Sequence, residues 1–174
     1  RVLDALDLDT TARVQIHVGG VYGDKEAAQA RFRAEHRRLD PEIRRRLVIE
    51  NDERLYSLAD CLALHADTGV PVLFDFFHHA LLNAGEPTGV AAQVAARTWP
   101  PAAGLLMTDY SSQKPGEHPG RHAETLDPAD FARILATTAP LDFDIMLEIK
   151  DKERSARRAL DVAATDPRLV SGRT

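Results

Sequence analysis

The chain has 174 residues, 44% of them hydrophobic and 28% charged, which is enough apolar material for one packed domain and argues against disorder. Its formal net charge of -5 argues against a protein that coats nucleic acid by bulk positive charge. The only cysteine, Cys61, excludes an intrachain disulfide and a cysteine-rich zinc site, so any metal must rest on imidazole and carboxylate.

The first apolar segment, RVQIHVGG (13–20), reads as a strand. The glycines after it lack the G-x-G-x-x-G spacing of a dinucleotide loop. A helix is expected over 24–39, where Ala28, Phe32 and Leu39 recur at helical spacing. This stretch and the next carry Arg31, Arg33, Arg37, Arg38, Arg44, Arg45 and Arg46. With acids interspersed they read as a solvated helix face, a phosphate-facing patch being the alternative. RRLVIEND (45–52) is the second strand. The helix after it opens with Ser57 and Asp60 in capping-box spacing and stops at Gly69. VPVLFDFF (70–77) is the third strand, followed by a shorter helix in GVAAQVAARTW (89–99).

GLLMTDYSS (104–112) is the fourth strand, and the long loop over 111–127 has the length and position of an active-site loop. Asp127 caps the next helix, with Pro128 at its first position. FDIMLEIKD (143–151) is the fifth strand and KERSARRALDVAA (152–164) the last helix. Strand then helix, five times over, means an α/β fold with a parallel sheet, doubly wound or a (β/α) barrel. No run of about 18 apolar residues and no signal-type leader is seen, so a cytoplasmic address and no membrane partner are expected.

Every strand places a potential metal ligand at or near its C-terminal end. These are His17 on the first, Glu50 on the second, Asp75 and His78 on the third, Asp109 on the fourth and Glu148 on the fifth. In (β/α) barrels that rim is where loops converge and chemistry is done. Alternation puts Met107 with Asp109 on one face, and Met146, Glu148 and Lys150 on one face. His122 can join from the long loop. Singly, each such residue reads more readily as a helix cap or a hydrogen-bonded structural group; together they read as a divalent-metal site of imidazole and carboxylate. Asp52 and Glu53 are taken as caps, His36 and His65 as helix residues, Trp99 and Phe76 as packing. His79, His118 and Tyr110 stay open.

The stretches HVGGVYGDKEAA, RLVIENDE, VPVLFDFFHH, YSSQ with GRHAETLDPADF, and DIMLEIKDKERS together resemble the UV damage endonuclease family over nearly the whole chain. The resemblance implies a TIM (β/α)8 barrel akin to the apurinic-site endonuclease and xylose isomerase barrels. It also implies a metal-dependent nick on the 5′ side of UV photoproducts in double-stranded DNA. Carried over by position, it implies metal ligands His17, Glu50, Asp75, His78, His122 and Glu148 around two or three ions, manganese above all, with magnesium or zinc as alternatives. Glu50, Asp75 and Glu148 would serve the reaction, and Lys150 is expected as an electrostatic partner for a phosphate, a surface ion pair being its alternative.

Two departures stand out. Where the family has Lys-x-His before YSSQ, this chain has Met107 and Asp109, so a lysine is lost and an imidazole ligand becomes a carboxylate, which favours manganese or magnesium over zinc. The family's barrel has eight units and this chain shows five. The expectation is therefore one domain over 1–174, the C-terminal portion of such a barrel, incomplete and with open sheet edges; the opening Arg1 in place of Met agrees with it. Rival readings are a metal-dependent sugar isomerase or epimerase on the same scaffold, and a non-catalytic damaged-DNA-binding relative.

Overall fold

Residues 2–170 are described by the structure, a computed structural model. Arg1 and 171–174, the two ends of the expected domain, lie outside the described residues. Five parallel strands form one sheet in sequence order: β1 Val14–His17, β2 Leu47–Glu50, β3 Val72–Asp75, β4 Leu106–Tyr110 and β5 Phe143–Leu147. Neighbouring parallel strands need a crossover, and helices supply it. The main ones are α2 Lys25–Arg38, α4 Leu58–Thr68, α6 Thr88–Ala96, α7 Pro128–Thr138 and α8 Glu153–Ala163. The short α1 Val2–Ala5, α3 Pro41–Arg44 and α5 Phe76–Leu81 complete the set. This is the expected α/β architecture, an incomplete (β/α) barrel.

Local chemistry accounts for the helix bounds. Asp24 accepts from Ala27 N at 2.9 Å ahead of α2, and Ser57 with Asp60 forms a reciprocal capping box on α4. Gly69 ends α4 at φ 73, a left-handed conformation that glycine adopts at no steric cost. Asp127 accepts from the backbone of Ala129 and Asp130 with Pro128 behind it, starting α7.

One element differs from the sequence reading. The apolar run over 70–77 does not stay extended: β3 stops at Asp75, whose Oδ1 accepts from His78 N at 2.8 Å, and Phe76 onward turns into α5. An apolar run alone cannot separate a buried strand from a buried helix. The turn matters because it sets His78 one helical turn from Asp75.

The helix-facing side of the sheet carries Ile49, Val72, Phe74, Leu106 and Tyr110, all buried. Each such side chain contributes roughly 1.5–3 kcal/mol by leaving water, so this layer holds the strands in place. Among the described residues β1 and β5 each pair on one side only, and Val14 and Ile16 are 47% and 36% exposed. These are the expected open edges.

Several members of the arginine run are held by partners within the chain. Arg46 is buried and donates to Asp4 and to the carbonyls of Leu8, Asp9 and Ala12. Arg33 pairs with Asp67 and Arg38 with Glu35. Arg44, Arg45 and Arg46 also precede β2, at the end of the sheet opposite Glu50.

Candidate metal centre

Register assembles the site. His17 lies opposite Glu50, Asp75 opposite Asp109, and Asp109 opposite Met146. Partners in a parallel register share a face, and so do residues two apart on one strand. Glu50 is paired with Leu73, two before Asp75, so Glu50, Asp75 and Asp109 all project from the face turned away from the helices. Glu148 follows β5 by one residue, its N–H bonded to Tyr110 O at 2.9 Å.

Ligand atoms of Glu50, Asp75 and His78 lie within 4.8 Å of one another, and so do those of Asp75, Asp109 and Glu148. Asp75 belongs to both groups. His78 Nδ1 is 3.2 Å from Glu50 Oε1 and 3.4 Å from Asp75 Oδ2. Two further expected residues flank this core: His17 Nε2 is 3.7 Å from Glu50 Oε2, and His122 meets Phe77 edge-on with ring centroids 4.7 Å apart. Its Nδ1 is 3.0 Å from Ser111 Oγ. The loop that carries it is a hairpin, bonded from Lys114 N to Arg121 O and from Ala123 N to Ser112 O.

Lys150 takes its alternative reading, a surface ion pair: its Nζ donates to Glu124 at 2.8 Å, three residues beyond the end of β5 at Leu147. Met107 packs against the apolar core. His79 is buried against Phe74, His118 is exposed and bonded to Pro119 O, and the Tyr110 hydroxyl bonds Ser112 and Asp130.

Three residues of the site were not anticipated. Asn51 donates to Asp75 O and accepts from Asp75 N, at 3.1 and 3.0 Å, and its own carbonyl is 3.0 Å from His78 Nδ1. Gln15 donates to Asp109 Oδ2 at 2.7 Å and to Glu50 Oε2 at 3.2 Å. Glu53, taken as a cap, has Oε2 3.8 Å from His78 Nε2, while Asp52 alone accepts from the turn N–H groups. A signal existed for Gln15, which is two residues before His17 and so on its face.

Burial drives the Asp75 carboxyl up to about 7, Glu50 and Asp109 adding to the rise while His78 opposes it. Asp109 is likewise raised to about 7 by burial, with Glu50 and Glu148 adding and the Gln15 hydrogen bond opposing. For His78 burial disfavours the charged form, but the hydrogen bond to Glu50 and the charge of Asp75 outweigh it and lift the imidazole to about 9. Asp75 Oδ2 and Asp109 Oδ1 are buried and accept no hydrogen bond. Two buried carboxylate oxygens without donors, beside an imidazole, are the donor set a divalent cation takes, so the residues fit such an ion.

A parallel sheet with strand-end acids and imidazoles gathered on one rim defines a (β/α)-barrel protein with a candidate divalent-metal centre. The family model described as UV-endonuclease UvdE matches residues 1–165, and the chain belongs to that family. It is 32% identical over 163 residues to a protein named UV DNA damage endonuclease from Clostridium perfringens (strain 13 / Type A), covering 91% of this chain and 39% of that one. A Bacillus cereus (strain Q1) protein of the same name is 32% identical over 155 residues, 88% of this chain and 49% of its own length. A crystal structure of SacUVDE superposes with a TM-score of 0.86 at 42% identity, covering 97% of this chain and 56% of that chain. The chain thus spans about half the length, or less, of these relatives. Among the described residues no helix is long and apolar enough to cross a membrane.

Proposed function

We propose that this chain supplies part of the cutting centre of a metal-dependent DNA repair endonuclease acting in the cytoplasm, which nicks double-stranded DNA 5′ to UV photoproducts. Family membership and the relatives' shared name support the reaction class. In this reading the five units are the last five of an eight-unit barrel. The observation that carries the reading is the convergence of Glu50, Asp75, His78, Asp109 and Glu148 with two buried carboxylate oxygens left without donors.

Glu50, Asp75 and His78 would hold one ion, and Asp75, Asp109 and Glu148 another, with His17 and His122 on the flanks. Bound divalent cations supply positive charge that lowers the pKa of the attacking water and offsets charge on the departing oxygen. The first group is mixed imidazole and carboxylate; the second is all oxygen and favours hard ions, manganese or magnesium over zinc. Asn51 fixes Asp75 from the backbone side and directs its carboxylate to the rim. His78 must lose its proton to act as a ligand, so ion binding strengthens as pH rises.

His78→Ala in the full-length protein should lose bound manganese and lose nicking of UV-irradiated plasmid. Normal metal content and normal nicking in that variant would remove His78 from the centre.

A further inference from the structure

Gln15 stands between the two ligand groups and touches both. Its one amide nitrogen donates to Asp109 Oδ2 at 2.7 Å and to Glu50 Oε2 at 3.2 Å. An amide NH2 has two N–H donors, and here each goes to a carboxylate of a different group. Each acid keeps one oxygen that Gln15 does not touch. Glu50 keeps Oε1, which faces His78 Nδ1 at 3.2 Å; Asp109 keeps Oδ1, which is buried and accepts no hydrogen bond.

We propose that Gln15 is a positioning residue that fixes how the Asp109 and Glu50 carboxylates are turned and holds the two groups at a fixed separation. This deepens the metal-centre reading above and rests on it. Without the amide, the Asp109 carboxylate would be free to rotate and to present both oxygens to one ion, drawing it away from the position shared with Asp75 and Glu148. The arrangement is tied to this chain's own residue at position 109: a carboxylate has a second oxygen that must be restrained, and Gln15 restrains it. The bond to Asp109 is the shorter of the two, so the all-oxygen group depends on Gln15 more than the mixed group does.

The test is a stepwise Mn2+ titration of the full-length protein, followed by calorimetry and by the electron paramagnetic resonance of free Mn2+. Wild type is compared with Gln15→Met, which keeps side-chain length and removes both donors, and with Gln15→Asn, which keeps the amide one methylene short of its partners. In both variants the second ion should bind about 10–100-fold more weakly, the usual loss when a partner of a ligand is removed, while the first loses less. Melting in EDTA reports folding, so a Gln15→Met that fails to fold leaves Gln15→Asn to decide. Wild-type affinity for both ions in the folded variants, or equal weakening of both ions together with a lower melting point in EDTA, would overturn the positioning role. A wild-type protein that binds fewer than two ions would overturn the two-ion reading and this inference with it, which keeps the two failures distinct.

Discussion

Asp109→Asn should make the metal-free protein more stable at pH 8 and leave it no more stable at pH 4. Burial lifts the Asp109 carboxyl from 3.8 to about 7. A carboxyl raised on folding contributes stability below its unfolded pKa, and that stability is lost as pH climbs through the folded value. Across about three pK units the loss approaches 4 kcal/mol at 1.36 kcal/mol per unit. Asparagine keeps the shape and can still accept from Gln15, but its buried amide lacks an assured partner, which costs about 1–3 kcal/mol. The net gain at pH 8 is therefore about 1–3 kcal/mol, appearing between pH 4 and 7. Urea unfolding in EDTA across that range measures it, and saturating Mn2+ should reverse the order, since ligand binding stabilises only the protein that binds. A gain independent of pH, or a variant equally destabilised at pH 8, would refute the argument that a buried anion strains the metal-free fold.

Asn51→Ala removes two buried hydrogen bonds to the Asp75 backbone and should cost about 2–4 kcal/mol in urea unfolding, with weaker Mn2+ binding on calorimetry. Gly89→Ala tests packing away from the rim. A Cβ there would sit 2.1 Å from Thr137 O, where α6 meets α7, so the helices must separate, at about 1–3 kcal/mol or more. A lower melting point with wild-type Mn2+ stoichiometry is the expected outcome.

The parts of this fold written in neighbouring residues were legible. Capping at Ser57 and Asp127 and the stop at Gly69 each depend on groups within a few positions, so local pattern suffices. Five apolar segments of the buried-strand kind, alternating with helices, led to the parallel sheet for the same reason. The ligand types at the strand ends were likewise visible, because strand ends could be placed approximately without knowing which strands pair.

Tertiary structure decided what distance along the chain conceals. That Gln15 bonds Asp109, that Asn51 braces Asp75, and that Lys150 turns to Glu124 depend on strand register and on where a strand stops. β3 gave way to α5 at Asp75 because the carboxylate took the His78 N–H, and that capping bond also put the imidazole beside the acids. Residue types and spacing determined which groups were available for chemistry. Sheet register determined which of them met, since each ladder step carries side chains to one face or the other and a shift of one residue would have scattered them.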